Sequence, residues 1–149
     1  NGILQRDQVA KIVEEAFDLY DKQTEYCLGS NPFPDITVAE WSYQYICRGK
    51  SLGMINGYSA GVDAGYYRPA RSVNRVEFLA LTLRNLDENM PSTNSTSYTD
   101  VEKGLWYSGY AKFAKDNGLF SGSKLYPTNH MARSEVAEVL YKLHNLGKI

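Results

Sequence analysis

Three arginines stand where a guanidinium can grip an anion. Arg6, Arg75 and Arg133 each open a stretch of helical periodicity, in Gln5-Arg6-Asp7-Gln8-Val9, Asn74-Arg75-Val76-Glu77-Phe78 and Ala132-Arg133-Ser134-Glu135-Val136. An Arg fork binds a carboxylate bidentately. At a helix's first turn it also sits beside free backbone N–H groups, which favour negative charge. For any one of them, a surface ion pair with a nearby carboxylate is the plainer reading. Three in register shift the balance toward binding. Catalytic chemistry has little support. His130 and His144 have no companion nucleophile in a recognisable arrangement. No P-loop, dinucleotide fingerprint or metal-binding helix is present, and no spacing singles out a glycosidase pair from the 17 acids. Neither an enzyme nor a cofactor or metal is expected.

The elements that carry these arginines recur. Asp35, Trp41, Gly53, Gly57, Pro69 and Arg75 return in order as Asp100, Trp106, Gly118, Gly122, Pro127 and Arg133. Four of the five intervals are identical, and only Gly-to-Pro differs, twelve residues against five. Repetition at about 60 residues predicts units that bury their apolar faces against one another. One domain, 1–149, is expected to hold a partial first repeat (1–30), a second (31–90) and a third (96–149).

Each unit reads as a longer aromatic helix, a Gly-bounded turn and a shorter aliphatic helix. Helices are predicted over 6–20, 38–52, 75–86, 106–117 and 133–146, with a linker over 21–35. Gly53 is placed to end its helix in a left-handed cap. Strand is expected to be absent or confined to bridges at Met54-Ile55 and Leu119-Phe120. The aromatic helices place Trp41 and Trp106 as core anchors, with an edge free as a groove wall. Asp35 and Asp100 read as caps or turn braces. Residues 59–67 form either a lid or a tolerated surface insertion.

Bulk properties narrow the function. A net charge of −1 lacks the basic excess of a nucleic-acid binder. No apolar run approaches the ~20 residues of a membrane span. Twelve tyrosines suit a surface that meets sugar or protein, or the padding of a small core. Cys27 and Cys47 enclose nineteen residues. They read as a disulfide worth ~3 kcal/mol, which implies an oxidising compartment, or as two buried thiols. Asn1 in place of Met marks a processed or excised piece.

The ordered landmarks resemble the S-layer homology family. The resemblance rests on Phe33-Pro34-Asp35-Ile36, Trp41, Gly53-Met54-Ile55-Asn56-Gly57-Tyr58, Tyr67-Arg68-Pro69 and Asn74-Arg75-Val76-Glu77, and again on Tyr98-Thr99-Asp100-Val101, Trp106, Gly118-Leu119-Phe120-Ser121-Gly122, Leu125-Tyr126-Pro127 and Arg133-Ser134-Glu135. It implies an all-α pseudo-trimer of helix-loop-helix units around a central bundle of Trp-led helices. It further implies inter-repeat grooves that hold secondary cell-wall polysaccharide, acidic and often pyruvylated. Carried over, the glycan-binding set is Arg6, Arg75, Arg133, Glu77, Glu135, Gly57, Gly122, Trp41 and Trp106. The implied role is a non-catalytic anchor at an extracellular surface, in the cell wall or S-layer.

Departures from the pattern matter. Gln5, Asn74 and Ala132 stand where the family has Thr. Asn74 still caps a helix, Gln5 does so poorly and Ala132 cannot, so the Arg75 groove is expected to be best formed. The first repeat lacks its Trp-led helix: it belongs to a preceding segment, or another chain supplies it, or the bundle is rearranged, and a missing helix leaves an apolar face that favours a homo-oligomer. The competing function is therefore a structural, self-assembling module without glycan binding.

Overall fold

A computed structural model of the chain describes residues 2–20 and 26–149; part of the expected linker, 21–25, lies outside the described residues. Among the described residues there are five α-helices: α1 (Arg6–Ala16), α2 (Tyr43–Ser51), α3 (Arg75–Leu83), α4 (Ser108–Asp116) and α5 (Arg133–Asn145). A 3-10 turn spans Gly61–Asp63. No described helix is long and apolar enough to cross a membrane.

Two compact units emerge, one over residues 5–72 and one over 73–149 with residues 2–4. Neither coincides with a sequence repeat. In each, the Arg-led helix of one repeat packs on the Trp-led helix of the next: α1 on α2 in the first, α3 on α4 in the second.

In the 5–72 unit, Val9, Ala10 and Val13 of α1 meet a core that includes Phe33, Ile36, Ile46, Met54, Ile55 and Tyr67, all buried. The Cys27–Cys47 disulfide is formed, with Cα atoms 5.4 Å apart, and ties the approach segment to α2. Beside it lies a buried ion pair, Arg48 Nη1 to Glu14 Oε2 at 2.5 Å. Tyr20, Tyr26 and Tyr45 ring the Arg48 guanidinium at 4.8, 5.6 and 5.5 Å. Burial raises the Glu14 carboxyl to about 7 against the opposing pull of Arg48.

In the 73–149 unit, three aliphatic residues, each two positions ahead of a repeat arginine, close a ring of backbone hydrogen bonds. Leu4 N–H donates to Met131 O at 3.0 Å, Met131 N–H to Val73 O at 2.8 Å, and Val73 N–H to Leu4 O at 3.1 Å. All three side chains are buried. Bridges Ile3–Ala132 and Asn74–His130 flank the ring. The expected pairings at Met54-Ile55 and Leu119-Phe120 do not form, because Met54 and Ile55 both donate to Gly49 O at the end of α2 and Leu119 donates to Ala114 O at the end of α4.

The all-α pseudo-trimer around a central helix bundle is not what forms. Helix accounts for 38% of the described residues, and α1 to α4 pack as two pairs. Trp41 and Trp106, expected as core anchors, are 54% and 56% exposed. The cause is local. Tyr43 N–H bonds Glu40 O and Ser108 N–H bonds Leu105 O, so each Trp sits in a turn. The helices begin only at Tyr43 and Ser108, past the Trp, which leaves the indole off the buried stripe. Trp41 leans on Tyr45 with ring centres 6.3 Å apart, and Trp106 on Tyr107 at 5.3 Å.

The longer Gly-to-Pro segment of the second repeat folds back on itself. Tyr58 bridges Ala64, and Asp63 binds Arg68 and Arg71, each at 2.7 Å. Its tip, Val62, stands in solvent.

Candidate functional site

The three arginines begin their helices alike. Arg6 N–H donates to Arg71 O at 2.9 Å, Arg75 N–H to Asn129 O at 2.9 Å and Arg133 N–H to Gly2 O at 3.2 Å. At each helix start the third residue reaches back to the cap. Gln8 Oε1 accepts from Gln5 N–H, Glu77 Oε2 from Asn74 N–H and Glu135 Oε2 from Ala132 N–H, at 3.1, 3.1 and 3.0 Å. At α3 alone a cap side chain completes the reciprocal bond, Glu77 N–H to Asn74 Oδ1 at 2.9 Å. Alanine offers no acceptor, so α5 keeps one half of the box.

Past the first peptide the guanidiniums diverge. Arg6 is seated against its own unit, donating from Nε to Tyr67 O at 2.8 Å and from Nη2 to Asn56 O at 3.2 Å. Its plane lies between the Tyr58 and Tyr67 rings, at 4.7 and 4.6 Å. Arg75 donates from Nη1 to Leu125 O at 2.7 Å and from Nη2 to Glu135 Oε1 at 2.6 Å. Phe120 lies 4.8 Å under it, and its Nε is buried without a partner. Among the described residues the Arg133 guanidinium makes no ion pair or hydrogen bond, and it is exposed.

The seats rest on a clamp that repeats. Asp35 accepts from Tyr67 and Arg68 N–H, at 3.0 and 2.7 Å; Asp100 accepts from Leu125 and Tyr126 N–H, both at 2.8 Å. Arg68 and Tyr126 have φ of 59° and 54°, a conformation costly for non-glycine residues, and each precedes a proline. The carboxylates thus brace turns and fix the carbonyls of Tyr67 and Leu125 on which Arg6 and Arg75 sit. Burial pushes Asp100 up, but the N–H groups of Leu125 and Tyr126 outweigh it and hold its carboxyl below the usual range.

Arg75 lines a pocket in the 73–149 unit. The other lining residues are Leu119, Phe120, Ser121, Glu135, Glu138, Val139 and Lys142, around about 410 Å³ including the open mouth. Burial pushes Glu135 up, yet the Ala132 N–H and Arg75 together hold it below its usual value. Glu138 pairs with Lys142 at 2.7 Å. The pocket is therefore electrically balanced: two cations face two acids of the same chain. An acidic sugar would have to draw Arg75 from Glu135 or Lys142 from Glu138.

The other sequence candidates are scattered. Glu77 serves the α3 cap. A Cβ on Gly57 would lie 2.9 Å from Phe33 Cε1 and 3.0 Å from Tyr66 O, so close packing holds that glycine. Gly122 has φ 87°, and its carbonyl accepts from Lys115 Nζ at 2.6 Å. Trp41 and Trp106 do not line the Arg75 pocket. Sequence reasoning passed over Leu119, Phe120, Glu138 and Lys142. The usable signal was the spacing of Glu135, Glu138, Val139 and Lys142, which puts all four on one face of α5.

No family model matches the chain. A curated protein of Acetivibrio thermocellus, Exoglucanase XynX, is 25% identical over 88 residues, which are 58% of this chain and 8% of that protein. The chain thus spans less than a tenth of this relative's length.

Proposed function

We propose that this chain is a non-catalytic, extracellular module that anchors a larger protein to an acidic cell-wall polysaccharide. The observation that carries the reading is the Arg75 pocket, where a half-buried guanidinium and the Lys142 ammonium face one open concavity beside the Phe120 ring. The repeat landmarks supply the family resemblance. The similarity to part of a polysaccharide-degrading enzyme's chain fits a carbohydrate context, and the Cys27–Cys47 disulfide suits an oxidising compartment. A sugar carboxylate entering the pocket takes Nη2 of Arg75 from Glu135, which retains the Ala132 N–H as a partner.

The test is retention of the chain on purified, immobilised wall polysaccharide. Losing charge-assisted hydrogen bonds costs about 1.5–3 kcal/mol, so Arg75→Ala is expected to weaken binding at least about tenfold. Glu138→Gln removes the competitor for Lys142 on a side chain 63% exposed and is expected to strengthen binding a few-fold. Unchanged retention in both variants, each with wild-type circular dichroism, rejects the pocket as the glycan site.

A second reading, an assembly module, draws on the internal seating of Arg6 and Arg75 on carbonyls of their own units. A concentration-dependent oligomer without affinity for wall polysaccharide would favour it.

A further inference from the structure

In an Asn-Gly pair the backbone nitrogen of the glycine can attack the asparagine's own side-chain amide, because glycine has no Cβ to block the approach. The pair occurs three times, at Asn1-Gly2, Asn56-Gly57 and Asn117-Gly118. Asn1 lies outside the described residues. The other two pairs are held very differently.

At Asn117-Gly118 both reacting groups are engaged. Asn117 Nδ2 donates to Phe113 O at 2.9 Å, and Gly118 N–H donates to Lys115 O at 3.2 Å. The next amide, Leu119 N–H, is tied to Ala114 O at 2.9 Å. Attack there waits until the last turn of α4 opens. At Asn56-Gly57 neither group is engaged. The Asn56 side chain is exposed, and among the described residues neither it nor the Gly57 N–H makes a hydrogen bond. The flanks are fixed, Ile55 N–H on Gly49 O and Tyr58 N–H on Tyr66 O, both at 3.0 Å. Between those anchors the Asn56 carbonyl accepts from Arg6 Nη2 at 3.2 Å. Gly57 is not exchangeable, since a Cβ would lie 2.9 Å from Phe33 Cε1 and 3.0 Å from Tyr66 O. Packing therefore retains the very residue that makes Asn56 reactive.

We propose that Asn56 is a site of spontaneous modification, converting to isoaspartate through a cyclic imide. The Gly57 nitrogen gives its proton to hydroxide and bonds to Asn56 Cγ. The bond from Cγ to Nδ2 breaks, and Nδ2 leaves as ammonia with a proton from water. Water then opens the ring. Opening at Cγ gives aspartate. Opening at the main-chain carbonyl breaks its bond to the Gly57 nitrogen and leaves that carbon as a free carboxylate, with the chain continuing through Cγ. The oxygen that Arg6 Nη2 holds then belongs to a carboxylate, so a neutral contact becomes a charge-assisted one. Water is the one reagent consumed. This inference is independent of glycan binding.

The experiment incubates the full chain at mildly alkaline pH, folded and in urea, and follows the tryptic peptides 51–71 and 116–124. Mass spectrometry reads deamidation, and enzymatic methylation reads isoaspartate. In the folded chain Asn56 is expected to convert on the order of tenfold or more faster than Asn117, where two hydrogen bonds must first open. In urea the two rates are expected to converge. Asn56→Gln is expected to keep the wild-type melting temperature and to leave peptide 51–71 unmodified, because its imide needs a larger ring. Asn117 keeping pace with Asn56 in the folded chain overturns the proposal. So does a peptide 51–71 that stays unmodified in the folded chain while the urea-treated chain converts, or that gains aspartate without isoaspartate.

Discussion

Breaking the Glu14–Arg48 pair should be costly, and replacing it whole should not. Both side chains are essentially out of solvent, at 0% and 2% exposure. Glu14 Oε1 and Arg48 Nε lack partners even with the pair formed. Removing one member leaves an uncompensated buried charge, worth about 3–5 kcal/mol. For a chain of this size that lowers the melting temperature by roughly 6–20 °C. Glu14→Leu is expected to fall in this range. The protein itself suggests the compensating change: the equivalent positions of the second unit are Leu83 and Phe113, both buried. Glu14→Leu with Arg48→Phe is therefore expected to recover most of the loss, since a well-packed apolar pair often equals or exceeds a buried ion pair. Thermal unfolding followed by circular dichroism, on the four corners of the cycle, measures it. A single variant within ~1 kcal/mol of wild type, or a double variant no better than the single, would refute the reasoning. Linkage adds a check on sign. Burial raises the folded-state Glu14 pKa above its unfolded value, so the native state binds the proton more tightly. Its contribution is full below about 4.5 and is lost as pH rises through about 7; Glu14→Gln should remove that descending slope.

Reduction of Cys27–Cys47 releases a 20-residue separation and should cost about 3 kcal/mol, read as a lower melting temperature with reductant that Cys27→Ser/Cys47→Ser reproduces without it. Asp100 is held below its usual pKa in the folded state, so the stability it supplies is present above about 4 and lost as pH falls through its folded value; Asp100→Asn should flatten the acid limb of a stability–pH curve. Trp106→Ala should change stability by no more than ~0.5 kcal/mol, as for other exposed positions; a loss of several kcal/mol in denaturant titration would return the indole to the core.

Much of this was legible in sequence because it is local or repeated. The landmark intervals located both aspartates, and they do brace turns. The missing acceptor at Ala132 and the good one at Asn74 foretold which helix start would be completed. The Cys27–Cys47 disulfide was one of two readings open in the sequence, and it is the one that forms. That the helical bundle would not form was not legible, because helical periodicity counted from Trp41 ignores the Glu40–Tyr43 turn that delays α2 to Tyr43. Nor was Glu14. It lies off the apolar stripe of α1 and reads as a solvated acid, and its partner Arg48 is 34 residues away. The Arg75 pocket was half legible: its arginine and Glu135 came from the motif, whereas Glu138 and Lys142 came only from the geometry of α5.

The backbone ring of Leu4, Val73 and Met131 bears on biosynthesis. The 5–72 unit is one continuous stretch, so all of its own residues are translated before residue 73. The ring instead needs residues 4 and 131 together. The 73–149 unit must therefore wait until residue 131 is translated, with Leu4 left idle meanwhile. Contacts so distant along the chain form slowly, and nascent chains fold from the amino end first. The late unit is accordingly where ribosome stalling before residue 131, or loss of Leu4, would do most harm.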